Sequence, residues 1–253
     1  MKTSAMANLL RFLLPFMLLV IAGCASDPVS LKIENGLPPD KLAYYSDPFD
    51  TFRDDLWDKS ALLYQDSQLE NFQLADMIYR DGKLIITTRK DCFSKGSLNS
   101  KFALKGDFDI QLDCRFDPLR GSHLMDQIMW FGVVDIGSGD PGNIDLVSIG
   151  VSQDFLFSRA KNRVGGQIEA IQGFNGSFRV VRTGRIVTTF YRQKGARWKQ
   201  LGSFQFSTGN LIVGFLLQNF TAKTGYLKSA LPFTAEFFEF RINAAQGIVE
   251  EEI

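Results

Sequence analysis

The sequence predicts an all-β fold in which two antiparallel sheets pack face to face as a sandwich. Three observations support this prediction. From residue 44 onward, apolar residues recur with a period of two in short segments that Gly, Asn and Asp separate. No stretch of about ten residues in this region has a clear helical period, except around 67–75. The 23 phenylalanines among 253 residues can fill the layer between two sheets.

The composition excludes several classes of protein. The 28 Lys and Arg residues balance the 28 Asp and Glu residues, so the chain lacks the basic face that neutralises phosphates, and we expect no nucleic-acid partner. His123 is the single histidine, which excludes a multi-histidine metal site and leaves any Ser-His-Asp triad with one candidate base. We expect His123 to lie in a loop without a catalytic role.

The first segment is expected to be a targeting signal rather than part of the fold. Lys2 and Arg11 flank a basic region that precedes an apolar run, Phe12 to Ala22. As a helix this run rises only about 16 Å, which is too short for a hydrocarbon core of about 30 Å. The sequence therefore predicts a signal peptide over residues 1–23.

The end of this signal resembles the bacterial lipobox. The residues are Ile21-Ala22-Gly23-Cys24, directly after the apolar run. The resemblance implies that Cys24 carries the lipid, including palmitate, and begins the mature chain. Ordinary cleavage with a free Cys24 is the alternative. Ala25 in place of Asp implies the outer membrane, so we expect a lipid-anchored protein of the bacterial cell envelope.

A flexible tether is expected to join the lipidated cysteine to the folded domain, over residues 24–42. Residues 26–42 contain three prolines and no sustained period, and fully extended they would span up to about 60 Å. The domain itself is expected over 43–253. Its two cysteines, Cys92 and Cys114, allow a disulfide in an oxidising compartment, while a buried free thiol at Cys114 is the alternative.

The expected strands follow one another along the whole domain, eleven to fourteen in number by the spacing of the turns. The clearest are 83–88 after the Asp81-Gly82 turn, 106–116, the hairpin of 177–182 and 186–191 around Gly184, 211–218, and 234–242.

The strand over residues 106–116 alternates most regularly, and the alternation assigns its two faces. The side chains expected in the core are Phe108, Ile110, Leu112, Cys114 and Phe116. The side chains expected to face solvent or a groove are Asp107, Asp109, Gln111, Asp113 and Arg115.

Several segments, taken in chain order, carry a family resemblance: 81–86, 98–110, 178–184, 189–192 with Trp198, 213–215 and 233–240. They resemble the concanavalin A-like lectin/glucanase superfamily, and the later ones are similar to its uncharacterised, regulatory-looking members. The resemblance covers nearly the whole domain. It implies a two-sheet jelly roll in which the last strand pairs near the first.

Glucanases of this superfamily, the family-16 glycoside hydrolases, resemble one another in a strand that reads Glu-x-Asp-x-x-Glu. The two glutamates supply the carboxyl pair, about 5 Å apart, that a retaining mechanism needs. The nearest match here begins at Asn143 and keeps Asp145, but Asn143 and Ser148 occupy the two catalytic positions. An amide cannot act as that nucleophile and a hydroxyl is a poor acid, so we expect no catalytic residues of this kind.

The loop between two expected strands offers oxygen ligands that suit calcium. The metal candidates are Asp135 and Asp140, with Asn143 and Asp145 close by in the sequence. Acidic turns also occur without a metal, so we expect no obligatory cofactor and treat calcium as an open alternative.

Sugar binding needs an aromatic surface together with amide, carboxylate or guanidinium groups that reach hydroxyls. The carbohydrate-binding candidates are Trp130, Asn143, Asp145, Glu169, Arg182, Tyr191 and Gln218. Trp130 ranks ahead of Trp198 as the platform, although Trp130 lies in an apolar run and either indole can belong to the core instead.

These observations favour a non-catalytic envelope lipoprotein that binds a glycan or another envelope protein. The first alternative is a glycoside hydrolase or polysaccharide lyase on the same fold, with an acidic pair that the motifs do not reveal. The second is a structural component of the envelope without a ligand.

Overall fold

The computed structural model describes residues 31–59, 75–88, 95–117, 126–135, 145–152, 155–161, 163–169, 173–221, 227–228 and 232–250. These ranges contain one short helix, α1 (Pro39–Tyr44), and fourteen strands. The strands are β1 (Trp57–Asp58), β2 (Ala75–Tyr79), β3 (Leu84–Thr88), β4 (Lys95–Phe116), β5 (Asp126–Asp135), β6 (Asp145–Ser152), β7 (Phe155–Ala160), β8 (Arg163–Glu169), β9 (Phe174–Thr183), β10 (Ile186–Gln193), β11 (Lys199–Gln205), β12 (Leu211–Thr221), β13 (Leu227–Lys228) and β14 (Thr234–Glu250).

The strands form two layers that share β4. Layer A has the order β2-β3-β14-β4-β9-β10-β11, and layer B has the order β4-β12-β5-β6-β7-β8. The second half of β4 pairs with β9, while its first half pairs with β12. Gly106, whose φ is +68°, lies between the two halves and permits the change of direction there. The predicted all-β sandwich is confirmed.

Two adjacent glycines allow the free edges of the layers to meet. A Cβ on Gly166 of β8 would lie 1.9 Å from the carbonyl oxygen of Leu201 in β11, and a Cβ on Gly165 would lie 2.3 Å from the ring of Phe204. Because no other residue fits against β11 this closely, the Gly165-Gly166 pair closes the sandwich on this side.

Aromatic rings fill the space between the layers, as the phenylalanine content predicts. The rings of Phe215 in layer B and Phe237 in layer A lie 4.7 Å apart, and Phe49 packs edge-on against Phe215 at 6.0 Å. Phe174 and Phe178 stack at 4.5 Å. The five side chains of β4 that alternation assigns to the core, from Phe108 to Phe116, are all fully buried.

Part of the segment expected to be a tether contacts the domain. The backbone N–H of Leu37 donates to the carbonyl of Ala245 at 2.8 Å, and α1 packs against β14. Beyond it, the buried Asp47 accepts hydrogen bonds at 2.7 Å from the N–H of Phe49 and from Nε1 of Trp57. The packed part of the chain thus begins before residue 43, because Leu37 and Leu42 bury apolar surface against the core.

The strands extend further than their sequence signals. The expected strand over 106–116 is the second half of a 22-residue strand, and the expected strand over 234–242 continues to Glu250. The register between β14 and β4 shifts at three places. These shifts break the alternation of apolar residues along β14, so the sequence pattern does not show where β14 ends. Within the described residues, no helix has the length and apolar character that a membrane span requires.

Candidate functional site

The candidate site lies on the outer face of layer B, around Trp130. Along β5 the side chains of Met129, Phe131 and Val133 are fully buried between the layers. Because neighbouring residues of a strand point to opposite faces, Trp130 points away from that core. Its indole is half-buried on the outer face and does not belong to the core between the layers.

Trp130 has an aromatic neighbour and a cationic neighbour from β7. The guanidinium of Arg159 lies 3.8 Å from the centre of the indole, and the ring of Phe157 meets it edge-on at 6.2 Å. Gly150 of β6 lies between the two rings, and a Cβ there would come within 3.1 Å of Trp130 and 3.0 Å of Phe157. Because Gly150 has no side chain, those of Trp130, Phe157 and Arg159 can pack together over its backbone. Phe155, 42% exposed, continues the same face of β7.

A small apolar cavity of about 30 Å³ adjoins the indole. Trp130, Leu146, Ser148 and Leu216 contribute to its lining. Two buried polar atoms of this lining, Nε1 of Trp130 and Oγ of Ser148, have no hydrogen-bond partner among the described residues. An unsatisfied buried polar group costs about 1–3 kcal/mol, so a ligand hydroxyl that reached both atoms would recover that energy.

Ser148 stands at the centre of this face because of the strand register. It pairs with Gly132 of β5 on one side and with Arg159 of β7 on the other. A Cβ on Gly132 would lie 2.2 Å from the carbonyl oxygen of Val147, so only glycine fits beside Ser148. We define the Trp130 face as the outer side chains of Trp130, Ser148, Phe155, Phe157, Arg159 and Gln218.

Gln218 and Asp145 lie at different places relative to Trp130. Gln218 of β12 pairs with Ile128, so its nearly buried amide belongs to the same face as Trp130. Asp145 lies at the start of β6 and forms an ion pair with Lys161 at 3.4 Å. The pairing of β5 with β6 has no bulge, so Asp145 and Ser148, three residues apart, point to opposite faces.

Three of the other sugar-binding candidates lie away from the Trp130 face. Tyr191 packs in the core between the layers, and Glu169 is exposed at the end of the edge strand β8. Arg182 is only 1% exposed and donates hydrogen bonds to the carbonyls of Gly106 and Gly209. Burial lowers the pKa of its guanidinium, and its role is to hold these turns together. Asn143 lies outside the described residues.

Neither metal candidate belongs to a ligand cluster in the described part of the chain. Asp135 is nearly buried at the end of β5, and Asp140 lies outside the described residues. No group of three or more His, Cys, Asp or Glu side chains that could hold a metal occurs in the ranges that the structure describes. Calcium binding by this loop stays a prediction.

Cys114 is a free and fully buried thiol. Burial raises the pKa of this thiol well above its ordinary value, and the nearby Asp113 raises it further. The thiol is thus an inert apolar side chain of β4. Cys92, Cys24 and His123 lie outside the described residues.

The outer face of layer A carries a buried charge pair that alternation along β4 does not reveal. Arg179 of β9 donates from Nε to Asp109 at 2.8 Å, and Asn243 of β14 donates to the same carboxylate at 3.1 Å. Trp198 covers the pair, with its ring 5.8 Å from the Arg179 guanidinium and 4.5 Å from that of Arg192. Trp198 therefore packs over the buried ion pair on the outer face of layer A.

Three residues of the Trp130 face are not evident as site residues from the sequence: Phe155, Phe157 and Arg159. Their signal is the alternation of β7, in which Leu156, Ser158 and Ala160 are buried while the intervening residues are not. Alternation identifies the two faces of such a strand. It does not identify the neighbouring strand, which depends on the register of β5, β6 and β7.

Several solved structures share this fold. A Bacillus licheniformis β-glucanase matches with a TM-score of 0.57 and 13% identity over 83% of this chain and 99% of its own. An endo-β-galactosidase from Clostridium perfringens that releases GlcNAcα1-4Gal matches with a TM-score of 0.58 and 10% identity. The match covers 83% of this chain and 62% of the galactosidase. A GH16 protein of a Bacteroides ovatus mixed linkage glucan PUL, solved with its product, matches with a TM-score of 0.53 and 13% identity. The match covers 79% of this chain and 99% of the Bacteroides protein.

These similarities confirm the concanavalin A-like jelly roll that the sequence motifs imply. At 10–13% identity they are evidence for the fold alone. No protein family and no curated protein matches the sequence.

Proposed function

We propose that this chain binds a carbohydrate on the Trp130 face without cleaving it, as a lipid-anchored protein of the bacterial cell envelope. One observation carries the proposal. An aromatic surface made by Trp130 and Phe157 adjoins two buried polar atoms, Nε1 of Trp130 and Oγ of Ser148, that have no partner among the described residues. A saccharide presents the matching combination of apolar C–H faces and hydroxyl groups.

Each group of the face has a distinct part in binding. The rings of Phe155 and Phe157 offer flat apolar surface for the C–H face of a sugar. Nε1 of Trp130 can only donate a hydrogen bond, whereas the Ser148 hydroxyl can donate or accept, so together they can hold one or two sugar hydroxyls. Arg159 adds a planar cation that stacks on the Trp130 ring.

Binding without cleavage is supported by the residues of β6. Its outer face presents Leu146, Ser148 and Gly150, and none of them is an acid. A retaining mechanism needs two carboxyl groups about 5 Å apart on the substrate side. Asp145, the nearest carboxylate of this strand, points to the opposite side and is paired with Lys161.

A hydrolase or lyase is the second candidate, and one observation favours it. Asp135 and Asp145 are direct cross-strand partners at the ends of β5 and β6. The Cβ atoms of such a pair are about 4.5–5.5 Å apart, which permits a carboxyl pair. Cleavage would then occur at the end of the sandwich and not at Trp130. A reducing-end assay on oligosaccharides would detect it, and Asp135→Asn would abolish it.

The envelope location is supported by the sequence of the first 25 residues. We infer that Cys24 is lipidated after removal of residues 1–23, and that Ala25 directs the mature chain to the outer membrane. Labelling of cells with radioactive palmitate should mark the wild-type chain and leave Cys24→Ala unlabelled. Equal labelling of both would contradict the anchor, and density-gradient separation of the two membranes would test the destination.

A glycan array followed by calorimetric titration tests the binding proposal. With a neutral saccharide that the array selects, Trp130→Ala should weaken binding by about tenfold or more, because it removes both the ring and the Nε1 donor. The matched control is Tyr44→Ala, which removes an exposed ring on α1. Equal affinity of wild type and Trp130→Ala would overturn the proposal.

A further inference from the structure

A second cleft opens at one end of the sandwich, where hairpins of the two layers meet. Layer B contributes the turn between β7 and β8 and the start of β6, while layer A contributes the turn between β9 and β10 and the end of β11. The cleft has a volume of about 550 Å³, within the range of small-ligand sites. We define the basic cleft by its polar lining, which is Asp145, Lys161, Arg163, Arg185, Gln205 and Ser207.

Cationic side chains dominate this lining. Among the described lining residues, Lys161, Arg163 and Arg185 accompany one carboxylate, that of Asp145, in a chain whose total charge is zero. Asp145 pairs with Lys161 at 3.4 Å. Arg163 donates one N–H to the carbonyl of Gln205 at 3.4 Å and has further donors. Arg185 forms no ion pair with a described residue and stands exposed on its turn.

The turn that presents Lys161 is held in an unusual conformation. The φ of Lys161 is +46°, in the left-handed region that residues other than glycine, asparagine and aspartate rarely adopt. Its backbone N–H donates to the carbonyl of Leu146 at 3.1 Å, which fixes the turn against the start of β6. A backbone conformation of this kind persists where the surroundings hold it, and such positions cluster at ligand sites.

We propose that the basic cleft binds an acidic saccharide, in which a carboxylate or sulfate group pairs with Arg185 and Arg163. Guanidinium groups match these oxyanions through two parallel hydrogen bonds. The volume exceeds what a bare oxyanion fills, and the amide of Gln205 and the hydroxyl of Ser207 suit the sugar hydroxyls. Leu146, Ala160 and Phe206 complete the lining with apolar surface for the C–H groups.

This site is separate from the Trp130 face, although Leu146 lines both cavities. Asp145 lies on the face of β6 opposite to Ser148, so a ligand in the basic cleft does not need the indole. Trp130→Ala should therefore leave binding in the basic cleft unchanged. This variant separates a failure of the present inference from a failure of the carbohydrate-binding proposal.

Calorimetric titration with trigalacturonate tests the inference. The neutral trisaccharide maltotriose and inorganic sulfate serve as the two comparison ligands. We expect trigalacturonate to bind more tightly than either, and its affinity to fall as sodium chloride screens the charges. Arg185→Gln should weaken it by about tenfold, since one charge-assisted contact is lost. Lys194→Gln removes the same charge from the exposed turn between β10 and β11 and should have no effect.

Removal of a negative charge from the basic cleft should have the opposite effect on affinity. Asp145→Asn removes the one carboxylate among the described residues of the lining and breaks its ion pair with Lys161, so it should tighten trigalacturonate binding. Three results would overturn the inference: equal affinities for trigalacturonate and maltotriose, an equal effect of Arg185→Gln and Lys194→Gln, or binding of sulfate as tight as that of trigalacturonate. The last result would mean that the cleft recognises an ion and not a saccharide.

Discussion

Arg179 and Asp109 form an ion pair whose side chains are 6% and 0% exposed on the outer face of layer A. A charge in such a place is tolerated because its partner and further hydrogen bonds replace the water that it loses. The carboxylate of Asp109 accepts from Arg179 and from Asn243, and Trp198 covers the guanidinium. At the scale of single residues, this pair links β4, β9 and β14 at the centre of layer A.

Removal of one partner should therefore destabilise the domain strongly. We expect Arg179→Met to lower the free energy of unfolding by about 3–5 kcal/mol, because it leaves the Asp109 carboxylate buried without its counter-charge. The matched control is Arg115→Met, which breaks an ion pair with Asp117 that is about half exposed and should cost less than about 1 kcal/mol. Urea denaturation measures both. Equal losses would contradict this account of the pair.

The buried thiol of Cys114 should make the free energy of unfolding decrease at alkaline pH. Burial raises the pKa of its thiol in the folded chain, while the unfolded thiol ionises near pH 8.5. This contribution to the free energy of unfolding is therefore complete below that pH and is lost as the pH rises above it, by at most about 1.4 kcal/mol per pH unit. Denaturation of wild type and Cys114→Ala over this range measures the difference. Parallel pH profiles of the two proteins would show that the thiol is not protected in the fold.

At the scale of the element, glycines decide where strands can approach one another. Gly132 lies beside Ser148 and Gly150 lies beside Trp130, and neither position has room for a side chain. Gly166 allows β8 to contact β11. Gly106 permits β4 to serve both layers. Each glycine is visible in the sequence. Which atoms a side chain at that position would clash with depends on the register between the paired strands.

Gly166→Ala should weaken the contact between the edges of the two layers. The added methyl would lie 1.9 Å from the carbonyl oxygen of Leu201, so β8 must move away, at a cost of about 1–3 kcal/mol. Gly247→Ala is the control, since its Cβ would meet nothing closer than 3.5 Å. Thermal unfolding and amide exchange of β8 measure the effect. A Gly166→Ala protein as stable and as protected as Gly247→Ala would refute the close approach.

Alternation along β4 correctly predicted which residues enter the core, because one face of that strand packs between the layers throughout. It did not predict that Asp109 and Gln111 on the other face are buried. The groups that cover Asp109 come from β9, β14 and the segment after β10, which lie far away in the sequence. The position of Trp130 was ambiguous for a related reason. Both faces of β5 are largely buried, so its apolar run has no period that separates core from outer face.

At the scale of the whole molecule, the fold places two different surfaces on one sandwich. The Trp130 face combines aromatic rings with the hydroxyl of Ser148, the amide of Gln218 and one cation, Arg159, on layer B, while the basic cleft gathers three cations where the two layers open. The sequence contains both sets of residues. Their separation follows from the opposite directions of Ser148 and Asp145 on β6, which the motif alignment treated as parts of one site.

Native mass spectrometry of the protein incubated with a defined pool of neutral oligosaccharides gives the sharpest test of binding on the Trp130 face, because one spectrum reports both binding and cleavage. We expect wild type to retain an oligosaccharide of unchanged mass and Trp130→Ala to retain much less of it, while Tyr44→Ala behaves as wild type. Shortened oligosaccharides in the wild-type sample, or an undiminished adduct with Trp130→Ala, would contradict binding without cleavage on the Trp130 face.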